Sequence, residues 1–404
     1  WGISGNNGIG TYNYQQVMGK TGVVIGNAVQ TAMFPGAFRD DKLGWESTSQ
    51  TNLGLDLGLF KGRLQVIANY YDSYTYNLLF SKSITALSGS TSMLTNLPDS
   101  KINNRGFDLQ LDGIVLSSAD YEVRAGGNIS VNRNKVLDLG GGSTILTRGA
   151  ERGYDTHITR EGQPIGMFYG YKVAGMVKTQ AEADAINDSP DVYDNIPARS
   201  AAQSTKIQPG DLYFEDTNKD GIVNDLDKTI IGNPHPDFIY AFNLSGRYRK
   251  FDISVSANGT QGNKVLDGQN YYNLNMEGSG NQYAVVDQRF RTPENPGSGE
   301  IYRAARGGTQ SNSTRLSTFY LNDGSFFRIT NLTLGYNWNT AGLTRNAISN
   351  VRIYVSSDNL YTAQKYRGYN PEVDYNNGSN LTPGVDYGKY PLMRSFNAGL
   401  KVQF

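Results

Sequence analysis

The sequence predicts an all-β chain whose antiparallel strands belong to a transmembrane β-barrel. Segments of about ten residues alternate apolar and polar side chains, the connections between them are by turns very short and very long, and the final strand ends in phenylalanine. A tilted strand of about ten residues crosses a bilayer, whereas strands of soluble sheets usually have about five or six residues. Outer-membrane barrels combine short periplasmic turns with long extracellular loops. These features favour a barrel over a soluble sandwich.

The clearest hairpin is predicted over residues 238–258. Phe238, Tyr240 and Phe242 fall on one face and alternate with small or polar residues, because successive strand side chains point to opposite faces. The last strand has the same character, since Phe396 and Leu400 alternate with polar residues. The other alternating segments are residues 53–59, 64–79, 106–116, 121–132, 327–338 and 350–361.

The connections follow a strict rhythm along the chain. Short turns are predicted after residues 59, 116, 248 and 338, and a long loop separates each resulting hairpin from the next. Residues 133–236 are predicted to be a long extracellular loop region, broken by a short strand at 167–173. The other long loops are predicted at residues 11–45, 81–102, 262–325 and 362–390.

Composition excludes several classes of protein. The 404 residues contain 37 Lys+Arg and 37 Asp+Glu, so the balance of charge does not indicate a nucleic-acid partner. Cysteine is absent, which excludes a disulfide scaffold and any thiolate-bound metal. No apolar run reaches the eighteen residues that a transmembrane helix needs. The 47 glycines and 27 tyrosines are typical of barrels with polar interiors and aromatic borders.

One loop has the spacing of a calcium site. Residues 216–227 match the pattern D-x-N-x-D-G with an acid at the twelfth position, which allows oxygen ligands to surround one hard cation. The predicted ligands are Asp216, Asn218, Asp220, the carbonyl of Ile222, and Asp227. A structural Ca²⁺ would neutralise the clustered carboxylates and hold the loop in shape. The alternative is a metal-free surface loop rich in Asx turns.

Other candidate residues give weaker signals. His157 and His235 are far apart in sequence and are predicted to be ordinary polar loop residues. Carboxylates in the loops form no pair that would indicate glycoside hydrolysis, so the chain is predicted not to be an enzyme. Several loop tyrosines are able to stack on sugar rings or contact peptide, namely Tyr271, Tyr272, Tyr283, Tyr361, Tyr366, Tyr369 and Tyr375.

Several segments resemble the C-terminal half of the SusC/RagA family of TonB-linked (TonB-dependent) outer-membrane transporters of Bacteroidota. The resemblance runs in the expected order over almost the whole chain. The matching segments are residues 1–14, 43–64, 102–111, 128–139, 161–175, 209–255, 326–338, 351–362, 366–373 and 390–404.

The resemblance implies a twenty-two-stranded barrel embedded in outer-membrane lipid, with a plug domain inside it. It also implies an N-terminal TonB-contacting region and a SusD-like surface lipoprotein that acts as a lid. The implied activity is TonB-driven import of oligosaccharides or peptides. The plug, the TonB box and the first strands are absent from residues 1–404, and only about ten or eleven strands are expected. Because open sheet edges are untenable in lipid, these strands are expected to pair with the missing part of the barrel.

Two alternatives to import stay open. In the first, a SusC-like barrel is a structural or interaction component of a larger outer-membrane assembly and no longer transports. In the second, weaker alternative, the chain is a surface enzyme that acts on glycans. The sequence does not distinguish substrates, because selectivity would reside in the irregular loops and in the lid.

Overall fold

The computed structural model describes most of the chain as antiparallel strands and the loops between them. The described residues are 1–6, 15, 18–36, 38–40, 42–90, 92–141, 144–149, 154–188, 207–276, 280–305, 315–342, 347–375 and 378–404. Strands are numbered β1 to β24 in chain order. The two α-helices of the described part are α1 (Gln180–Asn187) and α2 (Gly268–Asn273). Neither is long or apolar enough to cross a membrane.

Ten strands form one continuous antiparallel sheet, which we call the wall. In spatial order they are β1 (Gly2–Asn6), β5 (Glu46–Leu59), β6 (Leu64–Tyr76), β9 (Lys101–Ser117), β10 (Tyr121–Asp138), β17 (Phe238–Tyr248), β18 (Phe251–Gln261), β21 (Phe326–Asn339), β22 (Asn350–Gln364) and β24 (Ser395–Gln403). Spatial order equals chain order, so every neighbour is the next wall strand along the sequence. The predicted number of about ten strands is confirmed.

The remaining strands lie in the long connections between wall strands. They are β2 (Met18–Ile25), β3 (Ala28–Pro35), β4 (Phe38–Arg39), β7 (Leu79–Ser83), β8 (Ser92–Asn96), β11 (Ile145–Arg148), β12 (Asp155–Thr159), β13 (Met167–Gly170), β14 (Val173–Met176), β15 (Leu212–Phe214), β16 (Thr229–Gly232), β19 (Lys264–Asp267), β20 (Leu321–Asp323) and β23 (Val385–Asp386). They pair into five small sheets of two to four strands. We use the name cap for the three connections formed by residues 139–237, 262–325 and 365–394, together with their small sheets.

The wall has one apolar and one polar face, as the alternation predicts. Five apolar residues lie directly opposite one another on five neighbouring strands, namely Leu55, Ala68, Leu109, Ile129 and Tyr240. Leu55 on this face remains 53% exposed, and Phe396 near the chain end is 72% exposed. Such an extended exposed apolar surface is typical of a contact with lipid or with another protein.

The opposite face carries rows of polar side chains. One row joins Asn243, Ser256, Asn331, Asp358 and Ser395 across five strands. Asn331 donates a hydrogen bond to Asp358 at 2.8 Å, and the Ser395 hydroxyl donates to the same carboxylate at 2.9 Å. Cross-strand hydrogen bonds therefore satisfy the polar groups of this face.

Glycines of the wall accommodate tyrosine rings from the neighbouring strand. Tyr71, Tyr240 and Tyr354 lie directly opposite Gly106, Gly259 and Gly399 respectively. A Cβ atom added at any of the three glycines would approach the ring within 2.3 to 2.4 Å. Each ring thus covers a position at which only glycine fits, a packing that recurs in sheets with glycine-rich strands.

The structure differs from the sequence prediction in several places, including the connection after β21, which runs from 340 to 349 and is longer than the predicted short turn. Strand β10 continues to Asp138, so residues 133–138 belong to the wall rather than to the loop region predicted from residue 133. Residues 18–35, predicted to be loop, form the β2–β3 hairpin. The strand predicted at 167–173 divides into β13 and β14, because the N–H of Tyr171 between them bonds to the carbonyl of Leu316.

Candidate functional site

The cap is held together by a core that combines three distant connections. Phe168 comes from residues 139–237, Val385 comes from residues 365–394, and the connection between them in sequence supplies the rest. The buried members of this core are Phe168, Leu266, Tyr271, Leu316, Tyr320 and Val385. Apolar burial of this kind is the main term that stabilises packed loops. The long connections are therefore ordered by one another.

A pocket of about 530 Å³ lies where the polar face of the wall meets the long connections. One side is polar and comes mainly from the wall, with Asn6, Glu46, Thr48, Thr75, Asn104, Asn132 and Asn134. The other side is formed mostly by apolar residues of the connections, including Leu78, Phe80, Ile145, Ile165 and Leu381, with His235 and Asn380. A pocket with convergent polar groups and apolar edges is the usual form of a ligand site.

Side-chain amides fix the polar side of the pocket. The Asn134 side-chain amide donates to the side-chain oxygen Oδ1 of Asn104 at 2.8 Å and accepts the backbone N–H of Ile165, also at 2.8 Å. The second contact joins the wall to the cap. Asn132 is exposed and accepts a hydrogen bond from the Tyr71 hydroxyl at 3.0 Å. The pocket therefore presents amide groups that suit sugar hydroxyls or peptide backbone.

The titratable groups of the pocket are already engaged. One Glu46 oxygen accepts the N–H of Leu79 at 2.9 Å, and the other accepts the Asn6 amide at 3.1 Å. The Nε2 of His235 hydrogen-bonds to the carbonyl of Ile165 at 2.7 Å. The pocket thus offers mainly uncharged hydrogen-bonding groups to a ligand. Sequence reasoning missed this site, because its residues are scattered from position 6 to position 381.

The calcium-type loop is ordered by hydrogen bonds from its own backbone. Asp216 accepts the N–H of Lys219 at 2.6 Å and that of Gly221 at 2.9 Å. Gly221 has a φ of 85°, which permits the sharp turn. The buried carboxylate of Asp227 accepts the N–H of Thr217 at 2.8 Å and that of Asn224 at 2.7 Å. These contacts help to hold the loop in a closed conformation.

The predicted metal ligands converge only in part. Asp216 and Asp227 both accept N–H groups of the loop backbone, whereas the Asn218 amide donates to Asp220 at 2.9 Å. Burial raises the pKa of Asp216, but the N–H groups of Gly221 and Lys219 and the Asp227 carboxyl outweigh it and lower that pKa overall. Among the residues that the structure describes, no three acidic, histidine or cysteine side chains form a metal-binding group. The calcium site at Asp216, Asn218, Asp220, Ile222 and Asp227 stays a prediction.

The loop is anchored to the cap beside a second apolar core. Val223 is buried in that core, which also contains Tyr171, Leu212 and Phe214. The Tyr171 hydroxyl donates to Asp225 at 2.7 Å, and the Lys228 ammonium lies 3.0 Å from the same carboxylate. The loop conformation therefore affects how the neighbouring strands of the cap pack.

The histidine prediction was wrong for His157, which is fully buried. Its Nε2 hydrogen-bonds to the carbonyl of Pro383 at 3.0 Å, and its Nδ1 to the hydroxyl of Thr156 at 2.7 Å. Burial lowers the pKa of His157 to about 4, the Pro383 carbonyl opposes the shift, and the charge of His235 adds to it. His157 is therefore a neutral structural residue that holds the segment around Pro383 against β12.

The loop tyrosines divide into two groups. Tyr271 and Tyr366 are buried and hold the cap together, so neither is available for stacking on a ligand. The exposed rings are those of Tyr272, Tyr283, Tyr361, Tyr369 and Tyr375. Tyr361 belongs to wall strand β22 rather than to a loop.

Comparison with known proteins gives a consistent result. No protein-family model matches the chain. TonB-dependent receptor P3 of Formosa agariphila is 31% identical over 412 residues, which cover all of this chain and 39% of the relative. TonB-dependent receptor SusC of Bacteroides thetaiotaomicron is 25% identical over 419 residues and is covered to 37%. The chain thus spans about two fifths of the length of these relatives.

A solved structure has the same fold. The RagAB peptide transporter structure superposes with a TM-score of 0.76 at 22% identity, covering all of this chain and 40% of that one. The relatives are receptors rather than enzymes, which confirms the prediction that this chain is not an enzyme. Over its whole length the chain is therefore similar to part of the SusC/RagA-type TonB-dependent receptors, and it forms part of an outer-membrane β-barrel whose wall crosses the bilayer.

Proposed function

We propose that the protein containing this chain imports oligosaccharides or peptides across the outer membrane in a TonB-dependent manner. The observation that carries the proposal is the 31% identity over the whole chain to a TonB-dependent receptor. The fold supports it. The wall has one apolar and one polar face, and the polar face meets the cap at a ligand-sized pocket. Such a polar interior is typical of barrels that pass hydrophilic solutes.

The pocket also suggests what kind of group enters it. Its amides, its threonines and its engaged glutamate favour an uncharged polar ligand, and its apolar side favours ring faces or aliphatic side chains. Neutral sugars and peptide backbone share this chemistry. We propose that the pocket contacts a neutral segment of the ligand during import.

The partners belong to the same proposal. Relatives of this chain carry the names SusC and TonB-dependent receptor, and the structural relative is described as a RagAB peptide transporter. On this basis we propose a SusD-like lipoprotein at the cap side and TonB at the opposite side. Copurification of the intact receptor from outer membranes, followed by peptide sequencing, would identify the lipoprotein. A receptor that copurifies with no lipoprotein would contradict this part of the proposal.

Uptake by cells that carry the intact receptor tests the function. Labelled neutral oligosaccharides and peptides should accumulate only when TonB and the proton gradient are present. Replacing Asn132 with alanine removes a pocket amide, and losing one hydrogen bond should weaken ligand binding about threefold to tenfold. Asn281, exposed in the cap and away from the pocket, provides the control N281A, which should transport normally.

The outcome also distinguishes the alternative role. If neither ligand class accumulates and loss of the receptor instead disrupts a larger outer-membrane assembly, the structural or interaction role replaces import. If uptake continues without TonB, TonB-dependent import is excluded.

We further propose that residues 216–227 bind one structural Ca²⁺. The support is the ligand spacing together with the carboxylates of Asp216 and Asp227, which both accept N–H groups from the backbone of the same loop. Each carboxylate oxygen that accepts one N–H retains a lone pair for a metal. Asp216, Asn218, Asp220 and Asp227 would supply side-chain oxygens and Ile222 its carbonyl. The ion would stiffen the loop beside the core around Tyr171.

A further inference from the structure

Two buried aspartates lie side by side in the cap. Asp267 on β19 and Asp386 on β23 occupy directly paired positions of a parallel strand pair. They are only 4% and 2% exposed. Within the described part of the chain, no lysine or arginine forms an ion pair with either carboxylate. Two buried carboxylates this close cannot both ionise without a large cost, because water screens neither charge.

Hydrogen bonds hold this pair between two long connections. Asp267 accepts the backbone N–H of Asn270 at 2.9 Å and its side-chain amide at 2.7 Å, both from α2. Asp386 accepts the N–H groups of Gly388 at 2.7 Å and Lys389 at 2.8 Å. Connection 262–325 supplies the first acid and connection 365–394 supplies the second.

Tyr366 completes the arrangement from the start of connection 365–394. It is 3% exposed, and its hydroxyl donates to a carboxylate oxygen of Asp386. Gln269 of α2 donates to the same oxygen at 3.3 Å and accepts the Tyr283 hydroxyl at 3.0 Å. Burial, with the charges of Asp267 and Asp386, raises the pKa of Tyr366, so its hydroxyl stays protonated.

We propose that Asp267, Asp386 and Tyr366 form a proton-dependent junction that ties connection 262–325 to connection 365–394 more tightly in acid than at neutral pH. A proton on one aspartate removes the repulsion between the two carboxylates and supplies a donor to the pair. The side chains that hydrogen-bond to the pair are those of Asn270, Gln269 and Tyr366.

The direction of the effect follows from linkage. Burial, and then the charge of Asp386, raises the pKa of Asp267 to about 6 from an ordinary value of 3.8. Because the closed junction binds a proton that an opened one releases, closing is favoured below about pH 6 and weakens as pH rises through that value. His157 stays neutral over this range, since its pKa is about 4.

The junction borders the pocket. Asn380 and Leu381 line the pocket and precede Asp386 by a few residues in sequence. The carbonyl of Pro383, which lies between Leu381 and Asp386, bonds to His157. Acid should therefore hold this edge of the pocket more rigidly, whatever ligand the receptor carries.

Hydrogen exchange of the intact receptor in lipid nanodiscs tests the proposal without requiring transport. After correction for the intrinsic exchange rate, amides in 264–274 and 384–389 should open about tenfold less at about pH 5 than at about pH 7.5. Amides of wall strands such as β9 should show no such change. Equal opening at both pH values in the two cap segments would overturn the proposal.

Variants sharpen the result. D267N replaces the protonated acid with a neutral amide and should be as well protected at about pH 7.5 as the wild type is in acid. The control D287N changes an exposed aspartate of the same connection and should keep the wild-type pH dependence. Y366F removes the hydroxyl donor and should increase opening at both pH values. If D267N does not fold, the wild-type comparison alone decides.

Discussion

The wall and the cap differ in how far apart in sequence their contacting residues lie. In the wall every strand pairs with the next wall strand along the chain, and side chains alternate between lipid and interior. In the cap the decisive contacts join residues far apart, such as His157 and Pro383, which are 226 positions apart. The wall exposes apolar residues along one face, whereas the cap buries apolar residues in shared cores. Local pattern therefore specifies the membrane part, and distant packing specifies the part that meets ligands.

The largest effect should come from the cap core. Replacing the fully buried Phe168 with alanine leaves a cavity among three connections and should cost about 3–5 kcal/mol of cap stability. Limited proteolysis should then cleave the cap while the wall stays intact in the membrane. Leu87 is 97% exposed, so the matched control L87A should not change cleavage. Joint loss of wall and cap would show that the two regions are not separable.

A smaller effect is expected on the lipid face of the wall. Leu55 and Asp56 are adjacent on β5 but point to opposite faces. Arginine at position 55 would enter hydrocarbon and should lower the free energy of unfolding by about 2–4 kcal/mol. Arginine at position 56 faces the polar interior and should lower it little. Urea titration of the intact receptor in lipid vesicles measures both variants. Equal costs at the two positions would contradict the assignment of faces.

The calcium proposal should give the smallest effect, confined to the cap. Ca²⁺ at about ten times its Kd should stabilise the loop by about 1.4 kcal/mol, and a chelator should remove that gain. Hydrogen exchange of residues 216–227 with Ca²⁺, Mg²⁺ or chelator measures the difference. D227N removes the ligand at the twelfth position and should abolish the response. A wild-type loop that is insensitive to Ca²⁺ would favour the metal-free Asx-turn structure.

Sequence alone predicted the wall well, because period-two alternation is a local property. The short turns after residues 59, 116 and 248 and the strand face of Phe238, Tyr240 and Phe242 all follow from it. The burial of His157 and the pairing of Asp267 with Asp386 depend on which loops meet in space. No periodicity encodes such meetings, so sequence reasoning located the calcium-type loop but not the pocket.

The tyrosine rings that cover Gly106, Gly259 and Gly399 also act as a check on strand alignment during folding. A slip by one residue would exchange the two faces of a strand, which the bilayer penalises at once. A slip by two residues preserves the faces, so hydrophobicity tolerates it. Tyr71, Tyr240 or Tyr354 would then meet a residue that carries a side chain, in a space that admits none. The three tyrosine–glycine pairs lie on three different strand pairs. They thus disfavour the two-residue misalignment that partitioning into the membrane would not prevent.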